Sequence, residues 1–163
     1  MKILICGSRC LEVKDYSFVK GILVDIISKE QYDEIIPNKD LEIVSGNANR
    51  GADHLGENFA RQNKLSLKLF PADWNDMTPP VIPGYNFYGA YNKLAGANRN
   101  QKMSDYLKDS KEKVIVIAFD AEESKIKTGT KDMIRISKRD GHKTYHVKCE
   151  DRNKITIKVY NGD

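Results

Sequence analysis

The chain has 163 residues, 40% of them hydrophobic and 31% charged, which excludes a disordered or fibrous polymer and leaves a globular protein able to bury one core without a covalent staple. Its net charge of +4 is unevenly placed, since residues 124–163 hold 11 Lys/Arg against 5 Asp/Glu whereas residues 1–123 hold 16 against 18. No apolar run reaches the roughly 18 residues of a membrane span, and a strand-like segment begins at once, so no span or secretory signal is expected and a cytoplasmic setting is.

In chain order, KILIC (2–6) is a short apolar run ending at Gly7. Asp15 is a good N-cap for an amphipathic helix over 16–29, where Phe18, Val19, Ile22, Leu23, Ile26 and Ile27 recur at helical spacing. LEIV (41–44) leads through the loop SGNANRGAD (45–53) into a helix carrying Ala52, Leu55, Phe59 and Ala60 on one side. LSLKLF (65–70) alternates strictly, as a half-exposed strand does, and the segment 71–92 reads as one long irregular loop of the kind that often serves as a lid or binding loop. A helix over about 93–108 follows, then KVIVIAF (113–119), continuously apolar like a strand covered on both faces.

The loop DAEESKIKTG (120–129) precedes a helix, TKDMIRISKRD, with Met133, Ile134 and Ser137 facing in. KTYHVKC and KITIKVY, separated by EDRN, predict a hairpin with Tyr145, Val147, Ile155, Ile157 and Val159 as candidate buried faces. Strands alternating with helices in this way predict an α/β fold. It comprises a Rossmann-like, mostly parallel sheet flanked by helices, with a short C-terminal antiparallel hairpin. One domain over 1–163 is expected, with a core over 1–148 and a hairpin extension over 143–160.

Cys6, Cys10 and Cys149 form no CxxC pair, and the three histidines offer only a His-x3-His at 142 and 146, so neither a disulfide framework nor a metal site nor a cofactor is expected. The basic C-terminal third suits a polyanionic partner, nucleic acid included, and equally a solvated surface.

In an open parallel sheet, ligands bind beyond the carboxyl ends of the strands, where loops present free amides and helix N-termini. Three such loops here share one chemistry: Gly7, Ser8 and Arg9 after the first strand, Ser45, Gly46, Arg50, Gly51 and Asp53 after the second, and Gly129 and Thr130 before the last helix. Glycine admits a phosphate to the backbone, hydroxyls donate to it and arginine offers a two-toothed guanidinium. Each loop taken alone is also a plain turn. Neither GxGxxG nor GxxxxGK[ST] occurs, which argues against a standard dinucleotide fold or a P-loop NTPase. Trp74 suits either base stacking or a core plug. Tyr85, Phe87, Tyr88 and Tyr91 suit a lid, a subunit contact or a small core of their own.

The stretches GSR (7–9), SGNANRGAD (45–53), FPADW (70–74), YNKLAGANRNQKM (91–103) and TGTKDMI (128–134) together resemble the YspA/YpsA-related branch of the SLOG superfamily, which also holds the Lonely Guy phosphoribohydrolases and DNA-processing protein A. The resemblance implies a Rossmann-like sheet binding a nucleotide or nucleotide-derived ligand, such as an ADP-ribose or NAD-like molecule, with Gly96, Arg99 and Asn100 joining the binding set. It implies a sensor, carrier or sequestering module. For the hydrolase branch it implies cleavage of an N-glycosidic bond by a helix arginine and a glutamate.

The arginine corresponds to Arg99, while the lysine usual after it is Asn100 and the glutamate position is Met133. Met133 can supply no carboxylate, which leaves Asp132 and Asp120 as candidates for a hydrolase reading. A single-stranded DNA binder is a third reading, from the DNA-processing branch. A homodimer is the expected assembly.

Overall fold

The computed structural model describes residues 1–121 and 128–162. Residues 122–127 of the DAEESKIKTG loop lie outside the described residues. Strand β1 (Lys2–Gly7) is followed by a short 3-10 turn and helix α1 (Tyr16–Glu34). Then come β2 (Glu42–Ser45), α2 (Ala52–Gln62) and β3 (Ser66–Leu69). Strands β4 (Pro83–Asn86) and β5 (Gly89–Asn92) precede α3 (Ala95–Lys108), β6 (Val114–Ala121), α4 (Thr128–Arg139), β7 (Lys143–Asp151) and β8 (Lys154–Tyr160). The main sheet runs β3-β2-β1-β6-β7-β8. All its pairings are parallel except β7 with β8.

Alternation along buried strands divides the core into two layers. Ile3 and Ile5 of β1, in register with Ile115 and Ile117 of β6, face α1 and α2. Leu4 and Cys6, beside Val116 and Ala118, face Met103 and Leu107 of α3 and Met133 and Ile134 of α4. Both faces are therefore covered, as the continuous apolar runs predict. The chain leaves β1 toward β2 on one side and returns from β3 to β6 on the other. The direction of winding thus reverses between β1 and β6, opening a crevice at their carboxyl ends.

Four expectations need correction. Helix α1 runs five residues past the predicted end at 29, because Glu30 continues the buried stripe of Val19, Ile22, Leu23, Ile26 and Ile27 with a carboxylate where periodicity counts only apolar residues. Asp15 makes no side-chain cap. Its carboxylate instead accepts the Glu12 N–H at 2.8 Å and two hydrogen bonds from Arg152 at 2.7 and 2.9 Å. The segment 71–92 is not wholly irregular: β4 and β5 pair antiparallel, with Tyr85 opposite Ala90. On β8, Ile155, Ile157 and Val159 are about 40% exposed. They pair with Cys149, Val147 and Tyr145, where the core under α1 ends, so β8 lies beyond helical cover.

Candidate functional site

A cleft of about 490 Å³ opens at the crevice between β1 and β6. Gly7 and Arg9 of the β1 loop form its floor and one corner, Ala48 and Asp53 one wall, and Thr128, Gly129 and Thr130 at the start of α4 another. Trp74, Lys93, Gly96 and Ala97 close the remaining side. The first turns of α3 and α4 both face this space, so two helix dipoles turn their positive ends toward it, an arrangement that favours an anion.

The β2–α2 loop reaches the cleft by a close backbone approach. Gly51 has φ +80, and a Cβ there would stand 2.5 Å from the Ser8 carbonyl oxygen, so the left-handed turn and the contact both require glycine. The Ala52 N–H donates to that carbonyl at 3.2 Å, joining the two loops. Ser45 and Ser8 are fully buried and committed inward. The Ser45 hydroxyl donates to Glu57 at 2.8 Å and accepts the Asn47 N–H, while the Ser8 hydroxyl accepts the Ala121 N–H at 2.9 Å. Both serines hold loop shape and stand behind the wall. Arg50 and Gly51 also lie off it.

Arg99 does not line the cleft either. Its guanidinium donates to the Gly46 carbonyl, and its Nε donates to the Asn100 side-chain oxygen at 3.1 Å. Asn100 in turn donates to the Gly129 carbonyl at 3.3 Å and to Asp132 at 3.0 Å, and Asp132 accepts from Arg135 at 2.7 Å. This chain of hydrogen bonds braces α2's loop, α3 and α4 around the cleft. The residue after Arg99 must both accept and donate for the brace to close, which an amide does and a lysine ammonium cannot.

Asp53 and Asp132 are the carboxylates on the cleft wall. Burial pushes Asp53 up to about 6, even though Arg99, the Ala48 N–H and Arg9 pull the other way. Met133 is buried and lines the base of the cleft. Asp120 lies off the wall, its carboxylate 3.1 Å from His146 Nε2. Trp74 is 40% exposed, edge-on to Tyr91 with ring centroids 6.4 Å apart. Tyr85, Phe87 and Tyr88, at the β4–β5 hairpin, are 78–96% exposed and thus form no core of their own.

The structure therefore brings Gly7, Arg9, Asp53, Trp74, Gly96, Asn100, Gly129, Thr130 and Asp132 to one cleft, with Gly46 and Arg99 bracing it. Sequence reasoning missed Lys93 and Ala48 on the wall. Lys93 carries a usable signal, as it is a cation directly before a helix that begins beside the sheet's carboxyl edge. Among the described residues no three His, Cys, Asp or Glu side chains are placed to hold a metal ion, and no helix is long and apolar enough to cross a membrane.

Comparison with curated proteins and with solved structures returns no match. Residues 1–76 match the family model described as the YspA, cpYpsA-related SLOG family. The matched stretch includes the two loops joined at Ser8 and Gly51 and spans a little under half of the chain; the similarity points, at a coarse level, to a nucleotide-related ligand.

Proposed function

We propose that the cleft binds a nucleotide or nucleotide-derived ligand with a phosphate and a ribose, and that the chain acts as a sensor, carrier or sequestering module. The observation that carries this reading is the convergence of Gly7, Arg9 and the first turn of α4 on one space at the sheet's switch point, with the Trp74 ring on the opposite side. Phosphate would sit against the amides of Gly129 and Thr130 and the Arg9 guanidinium, and Trp74 would stack on the base or ribose. Asp53, Gly96 and Asn100 would shape the space between.

The test is mass spectrometry of material released from the purified protein by heat, followed by thermal melts with nucleoside monophosphates, NAD and ADP-ribose. A ligand at about 100 times its dissociation constant is expected to add roughly 2.7 kcal/mol of stability. A flat response across all of them overturns the reading.

A second reading, hydrolysis of an N-glycosidic bond in the same ligand, draws support from Asp132, a carboxylate on the wall held in place by Asn100 and Arg135. Free base released on incubation and lost in Asp132→Asn would establish it. Binding without release of base leaves the first reading alone.

A further inference from the structure

The cleft has a neighbour. A second groove, of about 520 Å³, runs between the loop after β1 and the first turn of α2, and Arg9 stands on the wall of both. Between them the backbone of Gly51 packs against that of Ser8 and Arg9, joined by the Ala52 N–H to Ser8 carbonyl bond. The β2–α2 loop and the first turn of α2 are shared between the two sides: Ala48 and Asp53 line the cleft, and Asn49, Arg50, Gly51 and His54 the groove.

The groove is strongly basic. Of its cations, Lys14 pairs with Glu12 at 3.1 Å and Arg152 with Asp15 at 2.7 Å. Arg9 and Arg50 are exposed and form no salt bridge among the described residues. Two positive charges are thus left over, one on the wall of both spaces and one on that of the groove alone. Guanidinium groups that spend no hydrogen bonds internally are suited to gripping phosphate from outside.

We propose that this groove is a second anion subsite, and that the ligand is a nucleotide with two separate phosphate groups, one on each side of Arg9. This rests on the reading of the cleft as a nucleotide pocket, and it narrows the ligand to a class that a mononucleotide does not satisfy. Arg9 would contact both phosphates, Arg50 the outer one alone.

Calorimetric titration of the full chain tests this, using the four nucleoside 5'-monophosphates and the corresponding 5'-phosphorylated homodinucleotides. The dinucleotide of a base that binds is expected to bind at least about tenfold more tightly than its monophosphate, a gain typical of one added charge-assisted contact. Arg50→Ala is expected to abolish that gain while leaving monophosphate affinity within about twofold, and Arg50→Lys to keep part of it. Because Arg50 is an exposed loop side chain, an unchanged melt in Arg50→Ala confirms that the fold is intact. Equal affinity for mono- and dinucleotide, or a gain that survives Arg50→Ala, overturns the proposal while sparing the nucleotide reading of the cleft. Absence of binding by every probe overturns this proposal, and the reading of the cleft falls with it only where NAD and ADP-ribose also leave the melt unchanged. Affinity that keeps climbing with strand length beyond two nucleotides overturns the small-ligand form and assigns the surface to a nucleic-acid strand.

Discussion

Two buried carboxylates lie at opposite edges of the same sheet and titrate in opposite directions. Glu30, below the amino ends of β6 and β7, is fully buried between Lys113 at 2.8 Å and Lys143 at 2.6 Å, with the Tyr145 hydroxyl donating to it as well. Burial alone would raise its pKa, but the three donors outweigh that and bring it down to about 2. Asp53, at the carboxyl edge, has weaker local support, and there burial wins. The closed edge satisfies its charge within the chain. The open edge holds a carboxyl group poised near neutrality on a cleft wall that also carries Arg9, which is how a binding site departs from a structural ion cluster.

The largest expected effect breaks the closed edge. Glu30→Ala takes the carboxylate from Lys143 and the Tyr145 hydroxyl, leaving Lys113 with Glu34 at 3.1 Å, and the loss of a buried partner is expected to cost about 3 kcal/mol or more by chemical denaturation. A loss below about 1 kcal/mol would mean that the cluster is as expendable as a surface pair.

The pH dependence of the two groups sharpens the contrast. Asp53 is raised from 3.8 to about 6, so its contribution to stability is full below pH 3.8 and declines, by roughly 3 kcal/mol at most, as pH rises to 6. Glu30 is lowered from 4.5 to about 2, so its contribution is present above pH 4.5 and is lost as pH falls toward 2. Asp53→Asn is therefore expected to gain on the natural chain as pH climbs from 4 to 6. A constant difference between the two denaturation curves over that range would refute the assignment. Protonation also removes a negative charge from the wall, so anionic ligands are expected to bind more tightly at pH 5 than at pH 7.

Arg99→Ala tests whether the open edge depends on its brace. A stability cost of about 1–3 kcal/mol is expected, because the Gly46 carbonyl and the Asn100 side chain each lose a charged donor. Ligand affinity is expected to fall although Arg99 touches no part of the cleft, and unchanged affinity would confine the brace to folding. The smallest effect is expected from Gly96→Ala. A Cβ there reaches Trp74 at 3.4 Å, while helix propensity gains up to about 0.5–1 kcal/mol. Stability is expected to rise slightly and ligand binding to weaken.

The parallel sheet, its helices and the glycine-rich loops at one edge are legible in the sequence because apolar periodicity and loop composition are local signals. The sequence points to the loops but not to the division of labour within them. Ser8 and Ser45 carry the same hydroxyl as a phosphate-binding serine, and only the placement of Ala121, far along the chain, and of Glu57, on the next helix, shows that both hydroxyls are engaged internally. Arg99 likewise resembles a site residue until Gly46 is seen beneath it. The β4–β5 pair hides in 71–92 because its strands are four residues each and lack alternating apolar positions. Ile155, Ile157 and Val159 alternate as a buried face would, but burial depends on whether a helix reaches that far across the sheet, which no window of sequence encodes.

Trp74 is the only tryptophan in the chain. Because its ring stands half-open on the cleft wall against Gly96 and Tyr91, indole emission reports from this one spot with no background from the core. The protein thus carries its own optical probe, and any molecule entering the cleft would announce itself by quenching or a spectral shift, without label or coupled assay.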